Sequence, residues 1–441
     1  MPASRKFTRR EFIQKAGAAA AGAALAANAP GAVSAATSSK PFGVPYIRQP
    51  RRCRIAVGGW AEQNMRDLLE RTEFTKQTGI EVEIVLRTDT KETEITKIVG
   101  AVQAGTSPYD VIDFEDELTT TLSQANYMLG LDDILPPDLW DDFSPEMVEY
   151  SKVWSTYNGE TFRVIHNWEM PIWWYRKDWF DERGVPVPTT WEEVAQMGAI
   201  FTDKERGVWA TEDGLIKGAF LNVYLAWITL QAGGNPFDVG EPYRMALEYI
   251  YDLMHTYDTL NPASLQKDYN QQNADYVADK VAFMRQWPFF GDFVRSEENA
   301  EWFHEDKVAI GLPPVGPGGP AGSTYPAAWG FGIIKTSPNL EEAKELLSFL
   351  VSTEVAVEAM KVGFWFLNAR KSVLAAAPQD NWLVQQLKMY TDAGIIGVRP
   401  FHPRFVEALT ILEDNASAYL TNQMSLDATL EQTRAQLDEL E

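Results

Sequence analysis

Cysteine and histidine are both scarce in this chain of 441 residues, which holds one Cys and four His. A single thiol excludes an internal disulfide and a cysteine-based metal site. Cys53 follows the residues QPRR, which lack the small and apolar side chains that precede a lipidated cysteine. We therefore expect Cys53 to lie in the first strand as a small apolar residue. The histidines, at positions 166, 255, 304 and 402, lie far apart, so the sequence predicts no metal site.

The chain also lacks the common catalytic motifs. It has no nucleophile elbow, no Walker loop and no dinucleotide-binding glycine pattern. The segment PVGPGGPAG (314–322) is rich in glycine, but no Lys-Ser/Thr helix follows it, so we interpret it as a loop. We expect neither an enzyme nor a cofactor. Pairs of carboxylates leave a glycoside hydrolase as an alternative.

Basic residues are fewer than acidic residues. The chain has 39 Lys and Arg residues against 62 Asp and Glu, a formal net charge of -23. This balance argues against nucleic acid and anionic membrane surfaces as partners, because both repel an acidic protein. It is also typical of a well-solvated surface.

A long apolar run occurs only near the N-terminus, where FTRREFIQKAGAAAAGAALAA follows a basic start. The pair Arg9 and Arg10, with Phe12 close behind, predicts a twin-arginine export signal over residues 1–35, cleaved near Ala35. Glycines interrupt the run, which disfavours a permanent anchor. The sequence therefore predicts a soluble periplasmic protein with a Pro- and Ser-rich leader segment over residues 36–50.

Strand and helix patterns alternate through the first third of the mature chain. Strands are predicted at 53–57, 82–86 and 109–114, with helices at 62–78, 92–104 and 118–125. This alternation indicates an α/β fold with a parallel sheet covered on both faces. In such sheets a ligand crevice lies at the strand carboxyl ends, here Gly58, Gly59 and Trp60 and then 113–116. The two glycines are equally well explained by a tight turn.

Several segments in order resemble extracellular solute-binding proteins of ABC importers, the large class that includes sugar and maltodextrin receptors. The resemblance covers almost all of the mature chain and rests on these segments: EFTKQTGIEVEIV (73–85), GTSPYDVIDFEDE (105–117), YNGETFRVIHNWEMPIWWYRKDWFDERGVPVPTTWEEV (157–194), DKVAFMRQWPF (279–289), VAIGLPPVGPGGPAGSTYPAAWGFGIIK (308–335) and VGFWFLNARKSV (362–373). The chain departs from the family pattern at 164–166, at Arg176 and at 285–287. These departures lie near the expected cleft, so the ligand cannot be copied from one relative.

The resemblance implies a two-lobed periplasmic-binding-protein fold of type II. Each lobe would be a mainly parallel sheet flanked by helices, and the lobes would be hinged around a central cleft. The expected N-terminal lobe comprises 50–115 plus 333–362, and the expected C-terminal lobe comprises 118–328 plus 370–441. The lobes would close on a small-molecule solute, which the closed form binds with both lobes, and a membrane permease would receive it. We expect a monomer that neither forms nor breaks covalent bonds of the solute.

Fifteen Trp residues suit a sugar receptor, because a flat ring stacks on the apolar face of a pyranose while carboxylates, amides and Arg bind its hydroxyls. The predicted ligand-binding residues are Trp60, Glu115, Asp116, His166, Asn167, Trp168, Glu169, Trp287, Trp329, Gly330, Trp365, Arg370 and Arg404. Core packing explains many of the same rings equally well. Structural salt bridges could explain both arginines, Arg404 more readily than Arg370.

In the stretch WEMPIWWYRKDWF (168–180), core packing and ligand binding are both possible roles for the aromatic rings. We predict that 166–169 lines the cleft, that Trp173 and Trp174 lie in a core strand, and that Asp178 caps the next helix. Trp and Tyr rings with Glu could instead form an aromatic cage for a cationic amine or betaine, so this solute class stays open.

Overall fold

The computed structural model describes residues 51–88, 91–218, 220–304, 306–362, 368–377 and 382–440. The predicted signal peptide and leader, together with Trp365, lie outside the described residues. Within the described part of the chain, no helix is both long and apolar enough to cross a bilayer.

The first sheet has five strands in the spatial order β2-β1-β3-β11-β6. Its strands are β1 (Arg51–Val57), β2 (Ile80–Leu86), β3 (Val111–Glu115), β6 (Val164–Ile165) and β11 (Trp329–Ile333). β1 is parallel to β2 and β3, as the alternating pattern predicts. β11 lies between β3 and β6 and is antiparallel to both, so it is an antiparallel strand within an otherwise parallel sheet.

The second sheet is mixed rather than mainly parallel, which corrects the prediction for this lobe. It has the order β10-β7-β9-β8, with β7 (Ile172–Arg176), β8 (Trp209–Thr211), β9 (Val281–Gln286) and β10 (Val308–Gly311). β7 is antiparallel to both neighbours, and among these four strands only the β8–β9 pair is parallel. A separate hairpin joins β4 (Thr156–Tyr157) to β5 (Glu160–Thr161). Strand direction could not be predicted because it depends on distant connections.

Helices flank both sheets. In chain order they are α1 (Glu62–Arg71), α2 (Phe74–Thr78), α3 (Lys91–Gln103), α4 (Glu117–Gln124), α5 (Pro145–Trp154), α6 (Lys177–Arg183), α7 (Trp191–Gln196), α8 (Gly198–Phe201), α9 (Leu221–Gln231), α10 (Glu241–His255), α11 (Tyr269–Val277), α12 (Phe290–Arg295), α13 (Leu340–Leu350), α14 (Thr353–Lys361), α15 (Lys371–Ala376), α16 (Trp382–Asp392), α17 (Phe405–Leu420) and α18 (Leu426–Asp438). Asp178 lies inside the first turn of α6 rather than at its N-cap, which is Arg176. Its carboxylate binds the Arg176 guanidinium at 2.8 and 2.6 Å and accepts a hydrogen bond from the Trp179 amide at 3.0 Å.

Apolar clusters cover both faces of each sheet. In β1, Ile55 belongs to one cluster and its neighbour Ala56 to another. In β7, Trp174 belongs to the same cluster as Ile55. Trp173 belongs to a third cluster, which includes Trp227 and lies between the second sheet and its helices. Successive strand residues point to opposite faces, so two adjacent tryptophans serve two cores. The prediction that both are core residues is confirmed.

The sheet pairings place β6 in the first sheet, although the sequence assigned it to the C-terminal lobe. Gly330 pairs with Ile165, and Phe331 pairs with Val164. The preceding segment also packs there, since the Leu129 amide donates to the Ile333 carbonyl at 2.9 Å. A strand of two residues has no readable periodicity, so the sheet to which β6 belongs could not be predicted from its own sequence.

Candidate functional site

Three predicted residues meet at one edge of the first sheet. Glu115 ends β3 and Trp329 begins the antiparallel β11, so the two residues pair directly. Trp60 follows β1 at the same edge, and its ring packs edge-to-face on Trp329 with centroids 5.3 Å apart. Trp60 remains 53% exposed, an unusual state for so large an apolar ring. A flat aromatic surface therefore stands beside a carboxylate.

Arg87 completes this edge, and sequence reasoning missed it. Its Nη1 lies 3.0 Å from Glu115 Oε2, and its guanidinium lies 4.9 Å from the Trp329 ring centroid. Burial alone would raise the pKa of Glu115, but the charges of Arg87 and Lys91 outweigh it and lower that pKa. The Glu115 carboxylate is therefore ionised and already paired with a cation of the protein. The position of Arg87, just past the end of β2, was the available signal.

The segments that connect the two sheets are hydrogen-bonded to one another. Glu169 and Ala327 exchange both backbone hydrogen bonds at 2.8 Å. The Asn167 side chain accepts a hydrogen bond from the Trp329 amide at 2.6 Å and donates one to Glu169 Oε1 at 2.9 Å. The link from β6 to β7 is thus bound to the link from β10 to β11.

A third segment joins this crossing through Asn368. Its side-chain amide donates to the His166 carbonyl at 2.8 Å, and the His166 amide donates to the Trp329 carbonyl at 3.1 Å. The His166 ring is buried against Phe331 and lies 2.9 Å from Asp113 Oδ1. Burial and the charge of Arg163 lower the pKa of His166, so its imidazole is neutral and serves as a hydrogen-bonding group.

Several buried polar atoms at this crossing have no partner among the described residues. They include Glu169 Oε2, Asp113 Oδ2 and two guanidinium nitrogens of Arg163. Almost all buried polar groups in native proteins have partners, so a cluster of this kind marks a place where water or a ligand completes the hydrogen bonding. Burial raises the pKa of Glu169 to about 8, although the Asn167 side chain opposes the shift. Near neutral pH this carboxyl can either donate or accept.

Asp116 was predicted to accept solute hydroxyls, but the structure commits its carboxylate to the protein. The Tyr150 hydroxyl and the Arg399 guanidinium both donate to Asp116 Oδ2. Arg399 also donates to Glu117 Oε1 at 2.8 Å, and Lys91 pairs with the same carboxylate. The partner of Asp116 lies 283 residues away in sequence, which is why its occupation could not be predicted.

The structure places Trp168 and Gly330 in closely packed surroundings. Trp168 is only 2% exposed and belongs to the first apolar cluster, so its ring serves the core. At Gly330 an added Cβ would lie 2.7 Å from the Val164 carbonyl oxygen and 2.8 Å from the Arg163 side chain. Glycine is required there because β11 and β6 approach closely.

Trp287 lies at the matching end of the second sheet. Gln286 pairs with Ile172, which places Trp287 beside the chain crossing, half-buried and 5.7 Å from the Arg285 guanidinium. Beyond it, Tyr269 packs against Phe289 and Phe220, an aromatic group that sequence reasoning missed. Burial raises the pKa of Tyr269, and the charges of Asp268 and Glu115 raise it further.

The two predicted arginine donors lie outside the cluster. Arg370 binds Asp142 at 2.7 Å, Thr353 Oγ1 at 2.9 Å and the Val351 carbonyl, so it is a structural residue. Arg404 pairs with Glu407 one turn along α17 and is half-exposed. The described residues contain no group of three or more His, Cys, Asp and Glu side chains placed to hold a metal ion.

These features define a two-lobed α/β binding protein whose chain crossings carry the polar and aromatic groups. The chain belongs to the family of bacterial extracellular solute-binding proteins, whose model matches residues 60–357. This membership confirms the predicted resemblance and the prediction of a binding protein rather than an enzyme. The glycoside hydrolase alternative is thereby set aside.

Solved structures share the fold. Maltose-bound MalE3 of T. maritima is 22% identical, with a TM-score of 0.74 over 88% of this chain and 100% of that one. A solute-binding protein of Thermotoga lettingae bound to α-D-tagatose is 17% identical, with a TM-score of 0.76 over 88% and 99%. One from Agrobacterium radiobacter in complex with ribitol is 21% identical, with a TM-score of 0.75 over 89% and 99%. The two-lobed periplasmic-binding-protein fold is therefore confirmed.

Proposed function

We propose that this protein is the solute-binding component of an ABC importer and captures a neutral sugar or polyol between its lobes. The observation that carries the proposal is the cluster at the chain crossing. There the exposed Trp60 packs against the half-buried Trp329, whose amide donates to the Asn167 side chain. Asn167 in turn donates to Glu169, which has a buried carboxylate oxygen without a partner in the described part of the chain. Rings would stack on the apolar face of the solute, and the polar atoms would bind its hydroxyls.

Charge pairing favours a neutral solute over a cationic amine. Glu115 is paired with Arg87, and Asp116 and Glu117 are paired with Arg399. Glu169 takes up a proton more readily than an ordinary carboxyl because burial raises its pKa. A cationic ligand needs an uncompensated negative charge or an aromatic cage. These carboxylates offer little uncompensated negative charge. The maltose, tagatose and ribitol named for the three solved relatives agree with this solute class.

The proposed mechanism is closure of the lobes about the three crossing segments, followed by delivery to a membrane permease. The crossings would lie near residues 166–171, 312–328 and 368–370, with the first sheet in one lobe and the second sheet in the other. The solute would favour the closed form because only there do both lobes contact it. The monomeric protein would act in the periplasm after export by its twin-arginine signal.

Isothermal titration calorimetry of the mature protein tests the solute class. A panel of hexoses, disaccharides and alditols should contain a ligand with a dissociation constant in the micromolar range, and amines and betaines should give no heat. Trp329→Ala should weaken that binding at least tenfold, whereas Trp209→Ala in the second sheet should leave it unchanged. Binding of a betaine, with none of any sugar or alditol, would overturn the proposal.

A further inference from the structure

Arg399 lies in a recess built from parts of the chain that are far apart in sequence. The recess has two carboxylates, Asp116 and Glu117, at the start of α4. Its walls are aromatic: the guanidinium carbon lies 4.8 Å from the Trp154 ring centroid, 5.7 Å from that of Phe405 and 6.0 Å from that of Tyr325. The Arg399 side chain is only 8% exposed. Carboxylates framed by aromatic rings are the arrangement that proteins use to bind cations.

The recess lies next to the proposed solute site. Asp116 and Glu117 directly follow Glu115, which pairs with Trp329. Arg399 comes from the segment before α17, and that segment is held by the loop before β11, since the Gly397 amide donates to the Thr324 carbonyl at 2.8 Å. Ala408 and Leu412 of α17 pack in the cluster behind the second sheet. Arg399 therefore links the helices behind the second sheet to the carboxylates at the edge of the first sheet.

We propose that Arg399 is a specificity-determining residue, a cation of the chain itself that fills this acidic and aromatic recess and so restricts the neighbouring site to neutral solutes. This inference rests on the proposed function only for the identity of that neighbouring site. Without the guanidinium, Asp116 keeps Tyr150 and Glu117 keeps Lys91 as partners, so the recess would have one positive charge fewer. Glu115 and Glu413 add negative potential, since both raise the pKa of Glu117 behind the larger effect of burial. A free cation would then be favoured where Arg399 stood.

Chemical rescue of Arg399→Ala in the mature protein tests this role, with methylguanidinium chloride as the probe. The variant should melt roughly 5–10 °C below the wild type, because truncation leaves two buried carboxylates undercompensated. Millimolar methylguanidinium should raise its melting temperature in a saturable manner, beyond the effect of sodium chloride at equal ionic strength. The wild type and the charge-retaining Arg399→Lys should show at least tenfold weaker binding of the probe.

If Arg399→Ala does not fold, Arg399→Gln fills more of the recess without charge and gives the same readout. A variant that responds to methylguanidinium no more than to sodium chloride would overturn the proposal, as would equal binding of the probe by the wild type. Rescue requires no sugar, so it can succeed even if the proposed solute class fails. Conversely, a sugar can bind to the wild type even if rescue fails.

Discussion

Glu169 and Trp168 are sequence neighbours with opposite surroundings. Trp168 is buried in an apolar cluster, and Glu169 carries a carboxylate oxygen without a partner among the described residues. Adjacent residues of an extended segment point to opposite sides, so only one of the two can face the solute site. Of the two residues predicted to line the cleft, Glu169 is therefore the better candidate.

The buried Glu169 carboxyl should make stability depend on pH. Its folded pKa of about 8 lies above the ordinary value of 4.5, so its protonated form is favoured by folding. That contribution is complete below pH 4.5 and is lost as the pH rises through 8. Glu169→Gln, which carries no charge, should therefore gain stability relative to the wild type as the pH rises through this window. The gain should reach at most about 1.4 kcal/mol for each pH unit.

Thermal denaturation of the wild type and Glu169→Gln across this pH window measures the difference. The exposed Glu205→Gln is the control and should show no such trend. Parallel stability curves for the wild type and Glu169→Gln would contradict the burial argument.

The three aromatic positions Trp329, Trp168 and Trp174 should separate binding from stability. Trp329→Leu should weaken solute binding by roughly 1.5–3 kcal/mol and change folding little, because its ring lies at a sheet edge. Trp168→Leu and Trp174→Leu should instead destabilise the protein by about 2–4 kcal/mol. Urea unfolding and calorimetric titration of the three variants give both quantities. A stable Trp168→Leu that no longer binds solute would restore Trp168 to the site.

β11 lies between two other strands of the first sheet. It contacts β3 on one side and β6 on the other, and its first residue lies in the proposed site. Gly330→Ala should force these strands apart and destabilise the protein by about 1–3 kcal/mol. Gly59→Ala is the matched control, because an added Cβ there meets no atom of the described residues within 4 Å. Equal urea midpoints for the two variants would show that the strands can move apart without cost.

Several long elements could be predicted from sequence, whereas the predicted helix 62–78 is broken between α1 and α2 and short elements could not be predicted. β1, β2 and α3 have enough residues for a clear periodicity, and their predicted bounds agree with the structure to within about two residues. β6 has only two residues, so its place in the first sheet depends on β11 rather than on its own pattern. That Glu115 and Trp60 lie at the same end of the first sheet was predictable from topology, because both follow parallel strands. The Arg399 pairing was not, because it joins positions 283 residues apart.

At the scale of the whole molecule, the crossing segments should allow the lobes to close. Once a solute is identified, small-angle X-ray scattering should show a smaller radius of gyration in its presence, since closure brings the lobes together. The Trp329→Ala variant should require at least tenfold more solute for the same change. A radius of gyration that is unchanged at saturating solute would argue that binding proceeds without closure.

Export can be tested on the full-length chain. Arg9→Lys combined with Arg10→Lys should abolish transfer to the periplasm if the N-terminal segment is a twin-arginine signal. Cell fractionation and immunoblotting measure the distribution, and Lys6→Arg serves as a control that keeps the pair intact. Equal amounts of the double variant and wild type in the periplasm would show that another signal directs export.

The order of the first sheet also determines when the chain can complete it during synthesis. β3 ends at residue 115, and its partner β11 begins at residue 329, 214 residues later. At roughly 5–20 residues per second, a ribosome needs about 10–40 s to make that stretch. During this interval one edge of β3 has no partner strand and is open to wrong pairing with other chains. β3 is short and carries Asp113 and Glu115, features that discourage such pairing, so these acidic residues should limit aggregation of the nascent chain.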